Sequence, residues 1–532
     1  MTAELAEWQQ VRIRDLAKIV GGGTPSRKDP SLFGGNVPWI TPKDLSRSKS
    51  RFVSVGANNL TDEGLSRSSA RLVPRRTVLF SSRAPIGYVA LARQPLATNQ
   101  GFRSLVCDEA LSLPEFVFYS LKAHVPAIES IASGATFKEV SGRALGAFAI
   151  PLPSLATQRK IAELLSAYDD LIENSLRRIE LLEVAARHLY REWFVEFRFP
   201  GHERARFVDS PFGRIPRGWN VVSIRDVAEV LRGKSYRGRD VVEEGGVPFV
   251  SLKCVERDGG FRSSGLKAYA GPFGEGQKVR NGDVVVAITD MNQERRVVAR
   301  AARVPRLGAD FGVMSMDLVR VASRGGLPAE FLYSVLRWSR FPDEVKQQAN
   351  GANVLHLLPA RIGDWRFVCP PEDLADGFRK VVSPLFVFSD TLEEKNSLLS
   401  QVRDLLLPKL ISGDLDVSDL AVRTRPLYAG DPQRLTEYRF FREIAALPFV
   451  EKIALFGSRA RGDHEERSDI DLCVFCGDAG EDEWLEVLAC LERDRVDTLL
   501  KVDCTRFEAS NAPMRENVLT EGIVLFERKE GP

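Results

Sequence analysis

Two stretches of this 532-residue chain repeat each other about 210 residues apart, and such a repeat is the strongest constraint on the fold. Trp8-Gln9-Gln10-Val11-Arg12-Ile13-Arg14-Asp15-Leu16-Ala17 returns as Trp219-Asn220-Val221-Val222-Ser223-Ile224-Arg225-Asp226-Val227-Ala228. Val37-Pro38-Trp39-Ile40-Thr41-Pro42-Lys43 returns as Val247-Pro248-Phe249-Val250-Ser251-Leu252-Lys253. Gly134-Ala135-Thr136 matches Gly351-Ala352-Asn353, and the two alternating runs that follow end at Pro153 and Pro370. A unit of this size is a domain, so the chain carries two like domains in tandem.

Each half opens with short strand-like runs punctuated by Gly and Pro, such as Thr77-Val78-Leu79-Phe80 and Val284-Val285-Val286-Ala287-Ile288. Each half then closes on a long helical pattern. Apolar or small residues fall at Ile161, Leu165, Tyr168, Ile172, Ser175, Ile179, Leu182, Ala186, Leu189 and Trp193 in the first. The second has Phe378, Val381, Leu385, Phe388, Leu392, Lys395, Leu399, Val402 and Leu406. Steps alternating four and three make a coiled-coil seam, with Ser175 and Lys395 as polar register-setters. The two helices either pair with each other or pack separately on their own domains, and the matched placement favours pairing. About 35 helical residues span roughly 50 Å, while successive major-groove faces of B-DNA lie roughly 34–36 Å apart. Two domains held by such a pair could read two segments of one duplex.

Hydrophobic residues at 44% and charged residues at 27% are those of a globular chain, and no apolar run reaches a membrane-spanning length. The first eight residues lack the pattern of a signal peptide, so the expected location is the cytoplasm, with no membrane partner. The net charge of +2 hides a basic first segment and an acidic cluster at 478–483. The 7 cysteines show no framework spacing, and Cys473 and Cys476 sit in an apolar run that points to buried thiols rather than a zinc site. The first 410 residues or so show no nucleophile elbow, metal-ligand cluster or P-loop, and Gly21-Gly22-Gly23 lacks the lysine of a Walker motif.

Several strings in this frame resemble the specificity subunit of type I restriction-modification systems. They are Gly22-Gly23-Thr24-Pro25-Ser26, Val37-Pro38-Trp39-Ile40-Thr41-Pro42-Lys43-Asp44-Leu45, Thr98-Asn99-Gln100-Gly101, Ile150-Pro151-Leu152-Pro153 with Gln158-Arg159-Lys160-Ile161, and Leu407-Pro408-Lys409-Leu410-Ile411-Ser412-Gly413. The resemblance covers about residues 8–418, and departs from the pattern where Ala375 stands at the position matching Gln158. It implies an α+β chain. Target-recognition domain 1 would span 1–155, spacer helix 1 156–200, target-recognition domain 2 201–372 and spacer helix 2 373–415, the helices forming an antiparallel coiled coil. It also implies a non-catalytic subunit that reads a bipartite site on double-stranded DNA. Methyltransferase (M) subunits, which use S-adenosylmethionine, and restriction (R) translocase-nuclease subunits would dock on it. Loop side chains at a duplex divide between phosphate positioning and base reading. The candidates are Ser81, Ser82, Arg83, Asn99, Gln100 and Lys138 in the first domain, and Thr289, Asp290, Asn292, Gln293 and Arg295 in the second. The plain alternative for each is a solvated loop residue.

Beyond a linker at 416–432, residues 433–532 read as a small α/β domain. An apolar strand (Ile453-Ala454-Leu455-Phe456) runs into Gly457-Ser458-Arg459-Ala460-Arg461-Gly462-Asp463, and Ser468-Asp469-Ile470-Asp471-Leu472 follows. Residues two apart on a strand share a face, so Asp469 and Asp471 project together, a donor set suited to Mg2+. Gly457 lets backbone N–H groups approach a triphosphate, and Ser458 offers it a hydroxyl. These motifs resemble the minimal nucleotidyltransferases of the polymerase-beta type. The resemblance implies catalytic and metal-holding roles for Asp469, Asp471 and Asp503, nucleotide contacts from Gly457, Ser458 and Arg461, and Mg2+ with an NTP, ATP first, as cofactors. Three functions stay open: a DNA-reading scaffold whose tail adds regulation or defence chemistry such as nucleotidyl transfer, a nucleotidyltransferase that DNA binding targets, with antitoxin-like AMP transfer to a partner protein, or a structural adaptor with an inert tail.

Overall fold

The computed structural model describes residues 8–46, 50–134, 138–417, 435–436, 438–461, 470–493 and 502–528. Two compact units divide the chain: Met1–Leu152 with Ala167–Leu415, and Pro153–Ser166 with Asp416–Pro532.

The sequence repeat is a structural repeat, with four strands of one sheet following the same order in both halves. In the first half Ala17–Gly21, Phe102–Cys107, Val78–Ser82 and Ile86–Ala92 lie side by side, with Phe52–Val53 added at the edge. The second half orders Ala228–Arg232, Leu318–Ser323, Val284–Ala287 and Ala301–Arg303 in the same way. A second sheet in each half contains one parallel pair, Phe33–Ile40 on Leu96–Thr98 and Val247–Val250 on Gly312–Met314. Both central strands, Val78–Ser82 and Val284–Ala287, are buried on both faces, which is why they read as unbroken apolar runs rather than alternating ones. Gln9–Arg12 pairs with Ala149–Leu152, and Asn220–Ser223 with Arg366–Cys369, so each domain closes where it began. Gly22 and Gly233 hold equivalent places. A Cβ at either would overlap a backbone carbonyl, that of Asn99 or Ser315, so a side chain is excluded there.

Helices Leu155–Phe194 and Glu372–Ser412 run for 40 and 41 residues, about 60 Å each. They pair antiparallel. At one end Phe378 of the second helix sits among Trp193 and Phe194 of the first (ring centroids 5.9 and 5.0 Å) and Phe331 of the second domain (6.5 Å). Toward the other end Asp169 takes Arg403 Nη1 at 2.6 Å and the Tyr119 hydroxyl at 2.6 Å, tying both helices to the first domain. The seam of the second helix differs from the one its spacing suggests. Ala375, Phe378, Val382, Phe386, Asp390 and Asn396 face inward, whereas Val381, Phe388, Lys395 and Val402 are exposed. Two adjacent rows of this helix are apolar, and spacing alone does not choose between them. Packing on the second domain does, because Phe386 meets Tyr333 at 5.6 Å there. Of the two polar positions in the seams, Ser175 is buried, its hydroxyl donating to Leu171 O at 2.9 Å, whereas Lys395 is exposed and its neighbour Asn396 is buried instead. Among the described residues no helix is long and apolar enough to cross a membrane.

The Asp169–Arg403 pair is mostly withdrawn from water, so removing one partner strands a charge. Arg403→Met should destabilise the chain by about 3 kcal/mol. Adding Asp169→Asn should recover most of that loss, and urea unfolding of the two single variants and the double variant reads the coupling.

Candidate functional sites: a duplicated loop cluster and a carboxylate pair

Five segments of each half meet at one place, joined by the same backbone hydrogen bonds. In the first half Ser82 N donates to Gly101 O (2.7 Å), Val140 N to Ser82 O (2.9 Å), Gly23 N to Thr98 O (2.9 Å) and Asn99 N to Ile40 O (3.0 Å). In the second Ile288 N donates to Asp317 O (2.8 Å), Leu357 N to Ile288 O (2.8 Å), Lys234 N to Met314 O (2.7 Å) and Ser315 N to Val250 O (2.9 Å). The scaffold of the cluster is therefore main chain, and its side chains are free to differ between halves.

The candidate DNA contacts separate into supports and presented groups. Ser81 and Ser82 are fully buried. The Ser81 hydroxyl donates to Pro85 O (2.9 Å) and accepts from Tyr88 N (2.7 Å), while that of Ser82 donates to Gly101 O (3.2 Å). Asn99 Oδ1 accepts Gly101 N at 3.0 Å, which shapes the loop carrying the exposed Gln100, itself bonded to the Thr24 hydroxyl. Arg83 faces Glu139 at 3.6 Å, beside the exposed Lys138. Thr289 and Asp290 are buried. The Asp290 carboxylate accepts from the backbone N–H groups of Asn292 (3.2 Å), Val297 (2.7 Å) and Val298 (3.3 Å), which fixes the following loop. Asn292 and Gln293 are exposed on it, Gln293 donating to Gly351 O (3.1 Å) and Ala352 O (2.9 Å). Arg295 is half-buried, with a left-handed backbone at φ 50°. Sequence reasoning missed Arg103, which clasps Glu139 at 2.6 Å, because only folding brings it to the cluster from within a strand. Met316 and Leu358, both exposed here, carried no polar signal to find them by.

The C-terminal domain is built on a four-stranded sheet in the order Val502–Arg506, Ile470–Phe475, Lys452–Phe456 and Ile523–Glu527. The first two strands are parallel, and their register sets Asp503 directly beside Asp471. Across the antiparallel pairing on the other side, Asp471 opposes Phe456, so the strand end at Gly457 reaches the same spot. Gly457 has φ +74°, and a Cβ there would overlap the Asp471 carboxylate. This backbone-to-carboxylate approach is a cradle only glycine leaves open. Ser458 opens the short helix Ser458–Arg461, and Arg461 Nη1 lies 3.2 Å from Glu521. Asp469, Ser468 and Asp463 lie outside the described residues. Among those described, no group of three or more His, Cys, Asp and Glu side chains is gathered to hold a metal ion.

The family model for the type I restriction modification DNA specificity domain matches residues 6–184, and that for polymerase beta nucleotidyltransferases matches residues 443–531. The type I restriction enzyme MjaIX specificity subunit of Methanocaldococcus jannaschii is 32% identical over 423 residues, 78% of this chain and 95% of that protein. The crystal structure of a type I restriction-modification S subunit from M. genitalium covers 77% of this chain and 98% of its own, at 16% identity and a TM-score of 0.48. A toxin–antitoxin crystal structure with AMP-PNP covers 17% of this chain and 69% of its own, at 24% identity and a TM-score of 0.14.

Cys473 and Cys476 are buried in the same sheet region. Burial, with Glu508 adding to it, pushes their thiols up to about 12 and about 11. Since the thiolate is the reactive and metal-binding form, both should stay protonated at pH 8. Iodoacetamide should label neither in the folded protein and both in urea, as read by peptide mass spectrometry.

Proposed function

We infer that this chain, which belongs to the family of type I restriction enzyme specificity subunits, reads a bipartite site on double-stranded DNA and docks methyltransferase and restriction subunits there. The observation that carries this reading is the duplicated loop cluster, presented by two like domains on one antiparallel helix pair. Each cluster offers polar or basic groups on a backbone that is already hydrogen-bonded: the half-buried Arg83 with the exposed Gln100 and Lys138 in the first, the exposed Asn292 and Gln293 in the second. Arg can read guanine and Asn or Gln adenine in the major groove, and Lys neutralises phosphate. Ser81, Ser82, Asn99, Thr289 and Asp290 then act as the braces that hold these groups, with Arg295 shaping the second loop. A paired helix spacer resists bending, so the unread bases between half-sites are fixed in number. The helices also leave Leu171, Leu181, Val184, Leu398 and Leu405 exposed, apolar surface suited to docking methyltransferase subunits.

The C-terminal domain, by this reading, binds an NTP, ATP first, and transfers its nucleotidyl group to an acceptor hydroxyl. The donor set supports it: Asp471 and Asp503 sit side by side, hard oxygen ligands that with Asp469 would hold Mg2+. The ion would supply charge neutralisation for the triphosphate. Gly457 keeps the approach to Asp471 open, Ser458 offers a hydroxyl to phosphate, and Arg461 adds positive charge, shared with Glu521.

Co-expression with the methyltransferase, followed by mapping of methylated adenines, should return one bipartite motif with an unread spacer of constant length. An assembled complex that methylates nothing would overturn the reading. For the tail, full-length Asp471→Asn should lose Mg2+-dependent ATP binding while leaving the methylation map unchanged. Gly457→Ala should weaken the same binding at least about tenfold, because its Cβ meets the carboxylate and its φ is left-handed. Wild-type protein that binds no ATP with Mg2+ present would refute the tail's role.

A further inference from the structure

The two loop clusters share one backbone, yet at two matched positions their presented side chains have opposite character. Matching hydrogen bonds make Ser82, Gly101 and Val140 of the first half equivalent to Ile288, Asp317 and Leu357 of the second. The residue before Gly101 is the exposed Gln100, and its counterpart before Asp317 is Met316. Ser141 follows Val140 and caps helix Gly142–Ala147; its counterpart Leu358 follows Leu357 and stands at the same N-cap of helix Pro359–Asp364. Two polar groups of the first cluster are thus replaced by two apolar ones in the second. Met316 is 40% exposed and Leu358 64%, while Met291, on the Asp290-braced loop of the same cluster, is 71% exposed.

The segments that carry all three meet at Ile288: its N–H donates to Asp317 O, its carbonyl accepts from Leu357 N, and Met291 lies three residues further along the same segment. An exposed apolar cluster at this place carries positive charge beside it. Lys234 is hydrogen-bonded on both sides of the Met316 turn, donating to Met314 O and accepting from Met316 N at 2.7 Å each, and Arg361 follows one turn after Leu358. Exposed apolar side chains on segments that also carry Lys234 and Arg361, with Asp317 beside Met316, suit a polyanion that also offers an apolar group. Major-groove base edges are donors and acceptors except at thymine, whose C5-methyl is apolar. Against Met and Leu, any other base edge would lose water without gaining a hydrogen-bond partner, a desolvation penalty that thymine escapes through its methyl.

We propose that the second domain recognises its half-site through thymine 5-methyl groups packed against Met316, Leu358 and Met291, whereas the first domain reads its half-site by hydrogen bonds. This rests on the reading of the chain as a DNA-specificity subunit. Once the motif has been mapped, duplexes are made in which each thymine of one half-site is replaced singly by deoxyuridine, which removes the methyl and keeps the pairing. They are titrated with the complex of the full chain and its methyltransferase. At least one replacement in the second half-site should weaken binding roughly fourfold, the size expected for one buried methyl, and none in the first should do so. In Met316→Ala or Leu358→Ala that sensitivity should fall to near onefold, and Met316→Leu should keep it. A second half-site without thymine on either strand, or equal affinity for thymine and uracil duplexes, overturns the proposal while leaving the bipartite reading intact. So does an alanine variant that weakens both duplexes alike, or one that fails to assemble with the methyltransferase. Absence of any bipartite motif removes the specificity reading and this inference together.

Discussion

The antiparallel pairing of the two long helices is the interaction on which the rest of the arrangement depends. It is fixed at two separated points by different chemistry. At one end the aromatic rings of Trp193, Phe194 and Phe378 pack with Phe331 of the second domain. Toward the other, Asp169 joins Arg403 to Tyr119 of the first domain. Apolar packing at the first point is tolerant of orientation, whereas a carboxylate shared between a guanidinium and a phenol is not. The second domain has a polar clasp of its own in the Arg303–Asp390 pair. There burial outweighs the neighbouring cation and raises the Asp390 carboxyl above its usual range. Both domains are therefore held to the spacer by groups that lose heavily if displaced, which is what a ruler between two reading heads requires.

The duplication and the fold class were legible in the sequence because each depends on local pattern. Repeated strings such as Val37 to Lys43 and Val247 to Lys253 mark strands that occupy equivalent sheet positions. Glycines 22 and 233 are forced by close backbone approach and so had to be written in both halves. The inward row of the second helix was not legible. Val381 and Val382, or Phe386 and Phe388, are interchangeable to any periodicity argument, and the choice is made by Tyr333 and the second domain, distant in sequence. Asp503 poses the same problem in the C-terminal domain. Its place beside Asp471 comes from parallel strand pairing, which no spacing rule supplies; only the resemblance to nucleotidyltransferases pointed to it.

The burial of the loop residues was less legible, for a related reason. Polar side chains in Gly-rich loops looked like contacts, yet Ser81, Ser82 and Thr289 are interior, and Asp290 is spent on three backbone N–H groups. Small polar residues satisfy buried main chain as readily as they meet a ligand, and composition alone does not distinguish the two uses. Met316 and Leu358, being apolar, carried no polar signal in the sequence, and folding leaves both exposed.

These features have a common physical origin. In each cluster the loops are joined to one another through main-chain hydrogen bonds, which are indifferent to the side chains they carry. Where the two halves must agree for the fold, they agree as glycine, at Gly22 and Gly233, or as strand. Where the backbone already satisfies itself, Gln can become Met and Ser can become Leu at no cost to the scaffold. A specificity subunit gains from this separation, because each half can change what it reads without changing how it is held. The two domains of this chain are an instance of that freedom: one backbone, repeated, with Gln100 and Ser141 in one copy where Met316 and Leu358 stand in the other.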